Sequence, residues 1–401
     1  MKEKTEDIKQ GTVTSPQGFL AGAVEAAIKY KGRLDLGLLY SEAPAVSAAV
    51  FTRSKVKAAP IVLSMKNNEK GRARAVVVNS GCANACTGDR GLQDAAEMAA
   101  LAAKKLGIRA DQVMVASTGV IGNVMPIDRI QKGIGKIELL KSGGHKLARA
   151  IMTTDTRPKE IAVRVMEQNG HYTIGGIAKG AGMIHPDMAT LLSFLTTDAR
   201  IDRLFLAKAL RAAVEDSFNM ITVDGDTSTN DMVSIIANGK ADNDLITAEN
   251  GGMFKHALSR VCRYLACSIA ADGEGATRLI EVCIESAKSR AQARKVARLI
   301  AASALVKSAV HGNDPNWGRV VAVLGRSGAD MDEGALDVYL QGEQVMRRGN
   351  PLPFEKNKLS RRMKADEVAI RVCLNIGTGS AVAWGCDLSQ EYVTINSDYT
   401  T

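Results

Sequence analysis

Residues 73–79 read ARAVVVN, a largely apolar run of strand length, and runs like it alternate along the chain with longer Ala-rich stretches of helical period. A strand buried on both faces belongs inside covered sheets, so the alternation constrains the chain to stacked layers of sheet and helix. Side-chain supply points the same way. Apolar residues make up 46% and aromatic ones only 4%, with 37 glycines, so cores must form by close approach of small and aliphatic groups. At 401 residues the chain is long enough for two or three domains and a large core that needs no staple.

The pattern predicts strands at 73–79 and 113–116, and a helix over 94–106 with an Asp94/Glu97 capping pair and Gly107 at its end. Pro126 is expected to open a helix through Leu139, before Gly143 and Gly144. Residues 161–166 and 172–177 flank Asn169-Gly170, a hairpin signal. A strand is expected from Thr190 to Asp198, then a helix from Asp202 with Leu206, Leu210 and Val214 on one face. Further helices are expected over 253–267 and 289–307, and strands at 279–284, 320–324, 336–340, 368–374 and 392–395. The fold class is α+β, a layered sandwich of mixed sheets between helices.

Fifty-two Lys and Arg against 43 Asp and Glu leave +9, which favours anionic partners without choosing between small molecules and nucleic acid. Seven cysteines without a CxxC pair read as free thiols in a reducing compartment, and Cys82 and Cys86 have no second pair to complete a zinc site. The opening MKEKTEDIKQGTVTSPQGF carries no apolar segment and no run reaches membrane-spanning length, so the expected location is the cytoplasm. There is no GxxxxGK[ST], HExxH, GxSxG or strand-borne GxGxxG motif. The five histidines are scattered. His185 lies near Thr190, where a structural role competes with a catalytic one.

Thr190 begins the apolar run LLSFL and has two readings. It is the first residue of a buried strand, or it is a nucleophile. A mid-chain Thr hydroxyl is a poor nucleophile, but at an amino terminus its own α-amine, of pKa about 7.7 to 8.0, can take the hydroxyl proton. Gly180 and Gly182 permit unusual backbone angles before it, and Ala189 is small enough for the hydroxyl to reach its carbonyl and cut the chain.

The segment KGAGMIHPDMATLLSFLTTDA resembles the self-cleavage site of the ornithine acetyltransferase family, the bifunctional ArgJ-type glutamate N-acetyltransferases. So, in the family's order, do SPQGFLAGAVEAAIK, VFTRSKVKAAPI, NSGCANACTG, STGVIG, MTTDTRPK, FNMITVDGDTSTND, GNDPNWGR and the terminal AWGCDLSQEYVTINSDYTT. Asp187 and Cys82 depart from the residues expected there, which leaves local hydrogen bonding and processing rate open.

The resemblance implies an ArgJ-like self-processing fold cut at Ala189-Thr190 into an α chain, 1–189, and a β chain, 190–401, assembled as α2β2. It implies acetyl transfer from N-acetylornithine to glutamate through an acetyl-Thr190 ester, with Thr118 and Gly119 as the oxyanion hole. Substrate contacts fall on Thr153, Lys179, Thr190, Glu274, Asn396 and Thr401. No cofactor is implied, and acetyl-CoA stands as an alternative donor. Read without the family, Thr118-Gly119 is a turn after strand 113–116 and Glu274 a loop carboxylate between glycines that let backbone approach a ligand. Two other functions are kept: a self-processing amino-terminal-nucleophile amidohydrolase or aminopeptidase, and a nucleic-acid binder using the Arg290, Arg294, Arg298 stripe, which otherwise reads as a solvated helix face.

Overall fold

From Ala75 on, the run at 73–79 becomes a strand buried on both faces, which extends to Cys82, and the reason lies in what covers it on each side. The computed structural model describes residues 4–167, 170–185 and 191–398. Along the chain these form β1 (Lys4–Asp7), β2 (Phe19–Val24), β3 (Leu36–Ser41), β4 (Val46–Phe51), α1 (Ala59–Asn68), β5 (Ala75–Cys82), α2 (Gly88–Leu106), β6 (Val113–Val120), α3 (Ile127–Lys136) and α4 (Gly144–Ala150). Next come β7 (Lys159–Glu167), β8 (Gly170–Lys179), β9 (Leu192–Thr197), α5 (Arg203–Glu215), β10 (Met232–Ala237), α6 (Gly252–Ala271), β11 (Leu279–Ala287), α7 (Arg290–Ala302), α8 (Ala304–His311) and α9 (Trp317–Gly325). The rest is β12 (Asp337–Leu340), β13 (Glu343–Arg347), β14 (Asn350–Pro351), α10 (Lys356–Arg362), β15 (Glu367–Cys373), β16 (Gly379–Cys386) and α11 (Gln390–Asp398).

Three sheets result, in the orders β2-β3-β5-β6, β1-β7-β8-β9-β10-β4 and β14-β13-β12-β15-β11-β16. Strand period assigns the faces. On β5, Ala75 and Val77 meet Met98, Ala102 and Ile130 of α2 and α3, while Val76 and Val78 meet Ile177, Phe194 and Ile236 of the second sheet. The second sheet's other face, with Ile174, Leu195 and Ile235, packs on Leu206 and Leu210 of α5 and Phe254 and Leu258 of α6. The third sheet buries Ile280, Val282 and Ile370 in the same core, with Val296 and Ile300 of α7. Both parts of the chain share the second sheet: β8 pairs antiparallel with β9, and β10 with β4.

Several boundaries differ from expectation. α2 starts at Gly88, and Asp94 is buried inside it beside Arg90 rather than capping it. α3 ends at Lys136, and Ser303, in extended conformation, splits the expected 289–307 helix. Residues 320–324 are helical because Val320, Val323 and Leu324 bury one helix face. Residues 392–395 also lie in a helix, α11. Thr118 and Gly119 belong to β6, not to a turn after it. In the hairpin, Glu167 pairs with Gly170, and Asn169 lies outside the described residues. Among the described residues no helix is long and apolar enough to cross a membrane.

Candidate active site

β5 and β6 run parallel until Gly81 and Cys82, where the register slips against Thr118 and Gly119. Gly119 sits at φ +130°, and a Cβ there would lie 2.4 Å from the Gly81 carbonyl carbon, so only glycine fits this crossing. Side chains of the NSGC and TND segments hold it. Ser117 donates to Asn79 at 2.6 Å, Asn79 donates to Cys82 O at 2.9 Å, and Asn230 donates to Ala83 O and Ser117 O at 2.7 and 2.9 Å. A rigid strand end therefore presents the Thr118 hydroxyl.

Facing it is Lys179, the last residue of β8, which is 3% exposed. Its Nζ donates to Thr153 Oγ1 at 2.8 Å and Thr118 Oγ1 at 3.3 Å. Thr118 accepts there, so its own proton is left to donate elsewhere. Burial pushes the Lys179 ammonium below its ordinary value, against the pull of Asp155. Behind it, Lys159 bridges Asp155 at 2.6 Å and Asp272 at 2.5 Å, and Asp155 accepts from Gly180 N at 2.7 Å. Burial alone would raise Asp155, but the two lysines outweigh it and hold the carboxyl at about 2. This buried chain of charges fixes the Thr153 loop and the exit from β8 in one arrangement.

The loop after β8 is shaped from both sides. Gly182 lets Glu274 approach so closely that a Cβ would lie 2.5 Å from its carboxylate. Asn396 of α11 donates to Glu274 Oε2 at 2.9 Å. Asp224 accepts from the amides of Met183 and Ile184, with Met183 at φ +58°. Burial raises the Asp224 carboxyl above its usual range. His185 meets Thr222 Oγ1 at 3.4 Å, which places it against the loop's own support. The result is a cavity of about 250 Å³ whose lining includes Thr118, Gly119, Thr153, Lys179, Glu274 and Asn396. Asp224, Asp226 and Tyr392 line it too.

Next to Lys179, Leu192 pairs with it across β8 and β9, and the Leu191 amide donates to Asp231 Oδ1 at 2.9 Å. Thus Thr118, Gly119, Thr153, Lys179, Glu274 and Asn396 come together. Ala189, Thr190, Thr401 and Asp187 lie outside the described residues. The glycines beside Glu274 serve the protein and not a ligand: Gly273 makes room for Cys386 Sγ and Gly275 for the Tyr392 backbone. Sequence reasoning missed Asp224, Asp226, Ser228, Asn230 and Asp231. Their signal was the alternating polar spacing in VDGDTSTND, ahead of the apolar β10. The basic stripe reads differently in space, because Arg290 reaches Asp216 and Arg294 reaches Glu215 at 2.7 Å and Asp216 at 3.1 Å. Among the described residues no cluster of three or more His, Cys, Asp or Glu is placed for a metal.

Comparison with known proteins places the chain in a family. The model of the ArgJ family matches residues 20–401. The arginine biosynthesis bifunctional protein ArgJ of Dehalococcoides mccartyi is 51% identical, covering 100% of both chains. The protein of that name from Symbiobacterium thermophilum is 51% identical over 98% of this chain and 99% of its own. A crystal structure of arginine biosynthesis bifunctional protein argJ from Bacillus halodurans matches with TM-score 0.50 and 44% identity, covering 51% of this chain and 97% of that one. Matched along essentially its whole length, the chain belongs to the ArgJ family, the bifunctional enzymes of arginine biosynthesis.

Proposed function

We propose that this enzyme moves the acetyl group of N-acetylornithine to glutamate, after cutting itself between Ala189 and Thr190. The observation that carries the reading is a cavity that gathers a buried lysine, four threonines and three carboxylates, with the lysine paired to the start of β9. It is smaller than a drug-sized site of roughly 300–1,000 Å³ and suits an amino acid with charge of both signs.

In the proposed reaction the Thr190 amine takes the Thr190 hydroxyl proton while Oγ attacks the acetyl carbonyl. Thr118 O–H and the Gly119 amide hold the oxyanion. The carbon–nitrogen bond breaks, ornithine nitrogen receives the proton, and an acetyl-Thr190 ester remains. The glutamate amine then attacks the ester, Oγ departs and regains a proton, and N-acetylglutamate leaves. An α-carboxylate is common to donor and acceptor, so Lys179, with Thr153, serves both half-reactions. Glu274, steadied by Asn396, meets the amine end, and Thr401 completes the contacts. Acetyl-CoA, reaching the same ester, fits the word bifunctional in the relatives' names. No resident cofactor enters.

Two facts support the cut. The Bacillus halodurans chain is almost fully covered yet corresponds to about half of this one, and strands on either side of 189/190 share a sheet, so the halves stay joined. The mature enzyme is proposed as α2β2 in the cytoplasm. Intact-mass measurement tests the reading: wild type is expected as two fragments meeting at 189/190, and Thr190→Ala as one inactive chain. An uncut, fully active wild type would sink it. Acetate release in place of acetylglutamate would make the enzyme a hydrolase on the same scaffold.

A further inference from the structure

Arg290 and Arg294, which take no part in the reaction as written above, line a second cavity. Among the described residues it shares no lining side chain with the catalytic one. Its volume, about 530 Å³, falls within the roughly 300–1,000 Å³ of small-molecule sites. The third sheet explains its place: α6 and α7 both pack against β16, and the cavity opens between them. Ala381 and Val382 of β16, with Met220, give it an apolar wall.

Helical spacing supplies the charge on the other walls. His256, Arg260 and Arg263 recur at i, i+4 and i+7 on α6, and Arg290 and Arg294 at i and i+4 on α7. Against them, Asp216 is the one carboxylate in the lining among the described residues. Arg290 and Arg294 share it, and Asp7 reaches Arg260 at 2.7 Å. Arg263 meets no carboxylate among the described residues and lies over the Trp384 ring, 5.1 Å from its centroid. Trp384 is 2% exposed and donates its indole N–H to Glu281 at 3.0 Å, so the surface that backs this guanidinium is fixed. Arg290 also stands at the positive end of the α7 dipole, in a first turn that holds no acidic residue. An anion among these groups relieves their mutual repulsion.

We propose that this cavity binds a small phosphorylated compound of the nucleoside phosphate class, its phosphates on Arg260, Arg263 and Arg290 and its ring on the wall of Met220, Ala381 and Val382. Guanidinium forks match phosphate oxygens two at a time, which a point charge does not. A cavity of this volume holds one nucleotide and not a duplex. The site is separate from the acetyl-transfer chemistry and stands whether or not that reading does.

Calorimetric titration of the purified protein with ADP is expected to be saturable. Arg263 is exposed and its loss breaks no ion pair, so Arg263→Gln is expected to fold and to weaken ADP about tenfold. Pyrophosphate is expected to bind more weakly than ADP, because it leaves the apolar wall empty. Absence of saturable ADP binding, or an equal Kd in Arg263→Gln and wild type, overturns the proposal. So does pyrophosphate that binds as tightly as ADP. Displacement of ADP by N-acetylornithine overturns it too, by putting the nucleotide in the catalytic cavity, and an oligonucleotide that outbinds ADP overturns it in favour of a nucleic-acid surface. A second measurement leaves the arginines intact. The indole N–H resonance of Trp384, told from that of Trp317 by Trp317→Phe, is expected to shift as pyrophosphate is added, and an unmoved resonance overturns the proposal.

Discussion

Lys179 and Thr118 touch at 3.3 Å, yet the chemistry asks different things of them, and kinetics can separate the two. In the proposed reaction the lysine binds a charge present in ground and transition states alike, so Lys179→Met is expected to raise KM in both half-reactions, with a loss in kcat/KM of roughly 10²-fold or more. In the same proposal Thr118 faces charge that exists only at the tetrahedral stage. Thr118→Val is expected to lower kcat on the order of 10²-fold to 10³-fold with KM little changed, and Thr118→Ser to restore much of it. Steady-state kinetics with ornithine release and acetylglutamate formation read separately checks both. A Thr118→Val enzyme altered only in KM would remove Thr118 from the oxyanion role.

At the scale of elements, the site is held by the charge chain Asp155–Lys159–Asp272, which joins the loop before β7 to β7 itself and to the end of α6. Lys159→Met leaves two buried carboxylates without their cation and is expected to cost about 3–5 kcal/mol, seen as a lowered midpoint in denaturant. None of this network was legible in the sequence, because its members sit 4 and 113 positions apart and only the fold brings them together. What could be read was periodic or chemical. Leu206, Leu210 and Val214 did mark one face of α5, with Asp202 as its cap, accepting from Phe205 N at 2.8 Å. The failures were segments whose β-branched residues suggested strand while a helix suited their neighbours. Val320 to Leu324 buries an i, i+3, i+4 face, and helical spacing in α11 brings Tyr392 and Asn396 into the cavity together. The site residues Thr118, Lys179, Glu274 and Asn396 were named from resemblance, while the alternating acids and amides at 224–231 have ordinary polar-loop composition until the cavity is seen.

Across the whole molecule, burial and sheet pairing set how the protein meets acid and how it would meet the proposed cut. Asp155 titrates at about 2, against an unfolded carboxyl near 3.8. A lowered folded value stabilises above the unfolded pKa and is lost as pH falls through the folded one. Roughly 2 kcal/mol of stability is therefore expected to disappear between about pH 4 and pH 2, and Asp155→Asn to flatten that part of the stability–pH curve. The proposed cut raises a different question, since two chains of about half length could drift apart. They share the second sheet through β8–β9 and β10–β4, and Ile177 and Val76 before the cut pack in one core with Phe194 and Ile236 after it. Separation would expose that core, so the fragments are expected to elute together in native buffer and part only in denaturant. Both tryptophans, Trp317 and Trp384, lie after position 190, so fluorescence follows the second fragment whereas far-UV circular dichroism follows both. Coincident unfolding curves are expected from the two signals, as for one cooperative unit. If dichroism fell well before the fluorescence changed, the first fragment would be unfolding by itself, and the shared core would not be what binds the halves.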